Sequence, residues 1–409
     1  MKFIKAFLSV LLFASTVNSF GQKYVGGDIS LLPKYENAGA TYYNHYGTAI
    51  SSPLTFFKEQ GMNAMRVRLF VDPSNETSDA NVCQDLAWVK TLGKRIKDAG
   101  FKFMLDFHYS DTWADPAKQW TPKDWTSLSD ADLYTKIYTY TKDALTQLKA
   151  AGAEPDFIQT GNEISYGMLW GVSTASSLKK CYTNSTANWD YFTTLLKNAG
   201  KACREVCPDA KIIIHTERVA QPSVLTGFYD KINSASVDYD IIGLSYYPYF
   251  HGALSVLETA LTTLENKYDK NIMIVEAGYP NEWAVSGTTF DYSGTYPYSD
   301  AGQKAFTDDL ITLLNKHSKV TGLFWWWMEY NAYGTSLSGW YNAPLFDSKT
   351  GHATSALSEL KNFLSTTGIS NIKMQDTKDE SWYTLQGTKI MKPTQSGIYI
   401  HDGKKIVNN

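Results

Sequence analysis

The chain has 409 residues, 43% of them hydrophobic and 19% charged, a globular composition able to bury a large core. That length is long for one ordinary domain and normal for an α/β barrel with extended loops. A formal net charge of −3 gives no field to attract nucleic acid, and no segment pairs basic clusters with aromatics in the manner of a nucleic-acid surface, so that class is set aside.

In chain order, residues 1–21 read as a secretory signal. Lys2 and Lys5 supply the positive start, 6–13 an apolar run too short to span a bilayer, and Ser19 and Gly21 the small residues before a cleavage at Gln22. The expectation is an exported protein, periplasmic, cell-surface or extracellular, with no membrane span.

From there strands and helices alternate. Strands are expected at 24–29, 63–70, 101–107, from Phe157, at 211–215, 240–246, 271–275 and 320–326. Helices are expected at 56–60, 86–99, 133–150, 191–206, 254–268, 302–316 and 355–364, with a poor helical pattern between the fifth and sixth strands. Eight such repeats fit a (β/α)8 TIM barrel better than an open doubly wound sheet, and no Gly-rich turn follows the first strand to suggest a dinucleotide or phosphate loop. The chain carries 12 Trp, 27 Tyr and 19 Phe. Many of the Tyr and Trp fall in Gly-, Asn- and Ser-rich loops, where flat amphipathic rings suit a wet, concave ligand surface. Four cysteines, Cys83, Cys181, Cys203 and Cys207, permit disulfides in an exported chain. Cys203 and Cys207 share a helix face without a zinc-type spacing and read as packing residues.

In a barrel of this kind, chemistry gathers at the C-terminal rim of the strands. The residues there are Asp28, Arg68, Asp106 with His108, Asn162 with Glu163, His215 with Glu217, Tyr246 with Tyr247, Glu276, and the run Trp325, Trp326, Trp327. In that run, alternation points Trp325 and Trp327 one way and Trp326 the other. Glu163 alone could be a first-turn carboxylate complementing a helix dipole. Glu276, however, follows the apolar seventh strand as Glu163 follows the fourth, and two Glu on those strands face each other across the mouth. Cleaving a glycosidic bond needs such a pair, one acid to protonate the leaving oxygen and one carboxylate to attack or to activate water. A non-catalytic sugar-binding barrel would not need both Glu. A metal-dependent hydrolase would need more rim His than His108 and His215, and no metal or other cofactor is assigned.

Six motifs carry a resemblance: Gly-Asp-Ile-Ser (27–30), Arg-Val-Arg-Leu-Phe-Val-Asp-Pro (66–73), Asp-Phe-His-Tyr-Ser-Asp-Thr-Trp-Ala-Asp-Pro (106–116), Gly-Asn-Glu-Ile (161–164), Gly-Leu-Ser-Tyr-Tyr-Pro-Tyr (243–249) and Val-Glu-Ala-Gly-Tyr-Pro (275–280). The chain resembles glycoside hydrolase family 53, the endo-β-1,4-galactanases acting on type I arabinogalactan, from about residue 24 to 363. The resemblance implies Glu163 as acid/base and Glu276 as nucleophile in a retaining reaction. It also implies Asn162 on the sugar 2-hydroxyl, Arg68 and Tyr246 holding Glu276, and His108, Asp111, Trp113 and Trp326 shaping the cleft. Asp28, Asp106 and His215 join them as rim residues expected to bind substrate. The expected partner is a polysaccharide, β-1,4-galactan, met by a monomeric enzyme; a β-mannanase or cellulase on the same scaffold is the alternative. The eighth strand departs from the family, with Phe-Trp-Trp-Trp-Met-Glu for an expected Phe-Tyr-Trp-Glu-Pro. Asp291 and Asp300 lie in a loop that binds structural calcium in some members, without a recognisable ligand spacing. Residues 371–409 read as a short β-hairpin tail, either a sorting or accessory segment or a hairpin packed on the barrel.

Overall fold

The computed structural model describes residues 22–182, 188–337 and 343–365, and beyond them 382–384, 389–390, 392–393, 397–401 and 404–408. The expected signal, 1–21, lies outside the described residues. Eight parallel strands follow one another round a closed barrel: β1 (Tyr24–Asp28), β2 (Ala64–Leu69), β3 (Lys102–Phe107), β4 (Phe157–Thr160), β5 (Lys211–Thr216), β6 (Ile241–Tyr246), β7 (Asn271–Ala277) and β8 (Val320–Trp325), with β1 pairing back to β8. The helices are α1 (Leu32–Asn37), α2 (Pro53–Glu59), α3 (Leu86–Asp98), α4 (Asp130–Ala150), α5 (Trp189–Val206), α6 (Pro222–Ser234), α7 (Pro248–His251), α8 (Leu254–Lys267), α9 (Asp300–Leu314) and α10 (Ser355–Glu359).

Local chemistry accounts for these elements. In α4, Ser129 caps the Asp132 N–H, Asp130 and Asp132 complement the positive helix end, and Leu133, Ile137, Ala144, Leu145 and Leu148 form the buried stripe. The region read as a poor helix holds α6. It starts at Pro222 without a side-chain cap and contains Gly227, which weakens its pattern, yet Leu225, Phe228, Tyr229 and Ile232 repeat at helical spacing and are buried.

Ala64, Met104, Phe157, Ile213, Ile241, Met273, Val275 and Phe324 form one buried cluster drawn from seven strands, the plug of the barrel. Truncating a ring such as Phe157 there should cost about 3–5 kcal/mol. At Gly322 a Cβ would stand 2.6 Å from Met273 Cγ, so only glycine leaves room for that side chain. Because strand side chains alternate, counting by two from the plug gives the residues that point up into the mouth. On β2 these are Arg66 and Arg68, and on β3 Asp106 followed by His108. Gln159 follows on β4, His215 and then Glu217 on β5, and Gly243, Ser245 and then Tyr247 on β6; Trp326 follows β8.

Strand β7 breaks the count. Leu244 pairs with Ile274 but Ser245 with Glu276, and Ile274 pairs with Leu323 but Ala277 with Trp325, so Val275 is one residue too many. This bulge lets neighbouring Val275 and Glu276 both serve the barrel interior, the first in the plug and the second at the mouth.

Cys83, Cys181, Cys203 and Cys207 are all free, and the last three are buried packing residues. Residues Thr366–Asn409 form a separate compact unit. Its described strands, β9 (Trp382–Thr384), β10 (Lys389–Ile390), β11 (Gly397–His401) and β12 (Lys404–Asn408), make an antiparallel sheet in the order β10-β9-β11-β12, four strands where a hairpin was expected. The sequence also suggests turns within this tail at Gln386-Gly387 and His401-Asp402-Gly403, which apart from His401 lie outside the described residues.

Candidate active site

A cleft of about 780 Å³ opens at the C-terminal end of the barrel, and both Glu163 and Glu276 line it. Glu163 reaches it through an unusual turn. Gly161 follows β4 at φ +101°, where a Cβ would press 2.7 Å from Ile164 Cγ2, and Glu163 itself sits at φ +47°. A left-handed non-glycine residue costs about 1–2 kcal/mol and is held here by His215, whose backbone oxygen accepts the Ile164 N–H at 3.0 Å.

The floor is built on Arg66. Its Nη1 donates to Asp28 Oδ2 at 3.0 Å, and its Nη2 meets Asp106 Oδ2 at 2.7 Å, Asn162 Oδ1 at 2.9 Å and Glu276 Oε1 at 2.9 Å. The Tyr247 hydroxyl donates to Glu276 Oε2 at 2.8 Å. Both oxygens of Glu276 therefore carry a donor. Burial raises the Glu276 pKa, and the Arg66 charge and the Tyr247 hydroxyl oppose that rise. Glu163 is different: burial, then the charges of Glu276 and Glu217, push it well above the usual carboxylate range, and among the described residues only the Ser245 hydroxyl, 2.7 Å from Oε1, is a side-chain donor against them.

Arg68 and Tyr246, expected to hold Glu276, do not touch it. Arg68 pairs with Asp28 Oδ1 at 3.1 Å and lies between the Trp113 and Trp327 rings, 4.4 and 5.1 Å from their centroids, in the cleft wall. Tyr246 points outward from β6, fully buried, and donates to the Gly252 carbonyl. The alternation rule carries the signal that would have found Tyr247, which stands in step with Ile241, whereas Arg66 and Arg68 are both in step with Ala64 and only the folded barrel separates their partners.

The other expected residues divide into two groups. His108, Trp113, Asn162 and Trp326 line the cleft. His108 accepts the Ala114 N–H at Nδ1, so its Nε2–H faces Asp106 at 3.1 Å. Asn162 donates to the Ala114 carbonyl. Asp28, Asp106 and His215 are fully buried beneath the cleft and act on the residues above them. Asp111 is a correction: it accepts from the Asp72 and Lys123 N–H groups and from Asn75 Nδ2, knitting loops together instead of facing the cleft. The alternation expected for the eighth-strand tryptophans also fails in part. Trp325 turns outward to the Ala343 carbonyl and Trp326 inward, but β8 ends at Trp325 and Trp327 stacks on Trp326 at 4.6 Å in the same cleft. Phe250 and Trp283, both more than 40% exposed, extend the aromatic lining and were not anticipated. Among the described residues no group of three or more His, Cys, Asp or Glu is placed to hold a metal ion, and no helix is long and apolar enough to cross a membrane.

A (β/α)8 barrel that sets Glu163 and Glu276 in an aromatic cleft at its C-terminal mouth has the arrangement of a glycoside hydrolase. The model of glycosyl hydrolase family 53 matches residues 24–360, and the chain belongs to that family. It is 33% identical over 347 residues to the arabinogalactan endo-β-1,4-galactanase of Cellvibrio japonicus, covering 79% of this chain and 86% of that one. Among solved structures it is similar to the Ignisphaera aggregans family 53 catalytic domain, at 32% identity and TM-score 0.72, covering 86% and 97% of the two chains. A structure from a study of two fungal β-1,4-galactanases matches at 30% identity and TM-score 0.70, covering 83% and 99%.

Proposed function

We propose that the protein is an exported endo-β-1,4-galactanase that cleaves by double displacement, with Glu163 as acid/base and Glu276 as nucleophile. The observation that carries this reading is the unequal environment of the two carboxyls. Burial raises both, but Glu276 is pinned by a guanidinium and a phenol that favour its anion, whereas burial and neighbouring negative charge push Glu163 well above the usual carboxylate range.

In the first step a Glu276 oxygen attacks the anomeric carbon, the glycosidic C–O bond breaks, and the departing sugar oxygen takes the Glu163 proton. In the second, water attacks the glycosyl ester, Glu163 removes its proton, and Glu276 leaves as carboxylate. The galactanase names of the relatives support galactan over mannan or cellulose, and the aromatic walls at Trp113, Trp283 and Trp326 suit the apolar faces of sugar rings.

Purified polysaccharides offered in parallel test the reading. Rapid viscosity loss and mixed oligosaccharides from β-1,4-galactan are expected; preference for mannan or cellulose, or release of monosaccharide alone, refutes it. Export rests on the sequence of 1–21, and intact-mass measurement of the exported protein should place its N-terminus at or near Gln22.

A further inference from the structure

Beneath Glu163 lies a short chain of polar side chains. Ser245 Oγ is 2.7 Å from Glu163 Oε1, and His215 Nε2 is 2.8 Å from Ser245 Oγ. The direction of this chain follows from the other ring nitrogen. His215 Nδ1 meets the Glu163 backbone N–H at 3.3 Å, a group that can only donate, and the Gln159 Nε2 amide at 2.9 Å. Gln159 must present its NH₂ end, because the same nitrogen faces the Asp106 carboxylate at 2.6 Å. Asn162 Oδ1 also approaches Nδ1 at 3.2 Å, but takes Arg66 Nη2 at 2.9 Å and Gln159 Nε2 at 3.2 Å. Nδ1 is therefore the acceptor and Nε2 carries the hydrogen. His215 donates to Ser245, whose only hydrogen is left for Glu163. Burial and the Arg66 charge hold His215 well below its usual pKa, so the ring stays neutral in this role.

We infer that Ser245, oriented by His215, is the positioning residue for the Glu163 carboxyl. It fixes Oε1 as a hydrogen-bond acceptor and leaves Oε2 to carry the proton given to the leaving oxygen. The inference rests on the reading of Glu163 as acid/base. Because Oε1 already accepts, the acid's hydrogen is confined to the other oxygen, which saves a search over both. Burial raises the Glu163 pKa most, and the charged groups that add to it are Glu276 on β7, Glu217 after β5 and Asp115 in the loop after β3; Ser245 opposes them.

The test compares Ser245→Ala and Ser245→Thr with the wild-type chain over a full pH range, on galactan and on a dinitrophenyl β-1,4-galactobioside whose leaving group needs no proton. Ser245→Ala should lose about tenfold or more in kcat on galactan with little change in KM, and the basic limb of kcat/KM should move up by about half a pH unit or more. Formation of the glycosyl-enzyme from the dinitrophenyl substrate should stay near wild type. Ser245→Thr, which keeps the hydroxyl, should keep the wild-type limb. Limb position does not depend on the fraction of active protein, so a partly misfolded variant still reports. An unmoved limb in Ser245→Ala, equal losses on both substrates, or a Thr limb displaced as far as the Ala limb overturns the inference. Failure of the underlying reading looks different: Glu163→Ala itself would then lose equally on both substrates, whatever Ser245 does.

Discussion

Arg66 Nη2 lies 2.9 Å from Glu276 Oε1 and 2.7 Å from Asp106 Oδ2, so one nitrogen ties the seventh-strand carboxylate to the buried acid of the third strand. Arg68, two residues on, reaches neither and serves the wall beside Trp113 and Trp327. Lysine cannot reproduce the Arg66 fork, with Nη1 on Asp28 and Nη2 on the other three oxygens. Arg66→Lys should therefore lose roughly 10²–10³-fold in kcat on galactan, a loss typical for removing one preorganised electrostatic contact. Arg68→Lys should lose far less kcat and act mainly on KM. Steady-state kinetics on the two variants settles the order, and a larger kcat loss in Arg68→Lys would contradict it.

Tyr247 and Tyr246 make a second contrast. Tyr247→Phe removes the donor on Glu276 Oε2, which favours the charged carboxylate. The Glu276 pKa should rise and the acidic limb of kcat/KM should move to higher pH, with about a tenfold loss of activity. Tyr246→Phe loses only the bond to the Gly252 carbonyl. It should leave both limbs in place and cost about 1 kcal/mol of stability. Parallel pH–rate profiles and thermal melts distinguish the two.

The adjacent-residue error at Tyr246 shows what the sequence makes legible. The eight strands, the order of the barrel and the cleft-lining Glu163, Glu276, His108, Asn162 and Trp326 are readable from apolar runs that end in polar residues, whereas Trp113, in the loop after β3, is marked only by the family resemblance. Which of two neighbouring residues points inward is also encoded, in the period-two count from the plug, and Tyr246 is placed wrongly only when that count is not made. The β7 bulge is another matter. Nothing in Ile-Met-Ile-Val-Glu-Ala marks Val275 as supernumerary, because the signal is a register between strands far apart in the chain. Asp111 likewise looks like a rim carboxylate until the N–H groups of Asp72 and Lys123 are folded against it.

Stability should rise when the site is relieved of its charge conflict. The Glu163 pKa is higher in the folded protein than in the unfolded chain, so its contribution is fully present below the unfolded value and is lost as pH rises through the folded one. Glu163→Gln removes that loss while keeping shape and a hydrogen-bonding group. Its melting temperature should exceed that of the wild type by roughly 1–3 °C near pH 8, with the gain shrinking towards pH 4. A gain of the same size at both pH values would show that the carboxyl's charge is not the cause.

The two glutamates should separate by role in single-turnover chemistry. Glu276→Ala removes the attacking carboxylate, so activity should vanish even on a galactobioside with a dinitrophenyl leaving group. Glu163→Ala retains attack on such a substrate, because that leaving group departs without a proton, and stalls at the glycosyl-enzyme, whose hydrolysis needs the base. Azide, an anion that needs no deprotonation, should then restore turnover and yield a β-glycosyl azide. Retention follows from two inversions at one carbon, so the first-formed product from the wild-type enzyme should be the β-anomer by proton NMR. An α-anomer would mean direct attack by water, and Glu276 would be a general base activating that water across the cleft from Glu163.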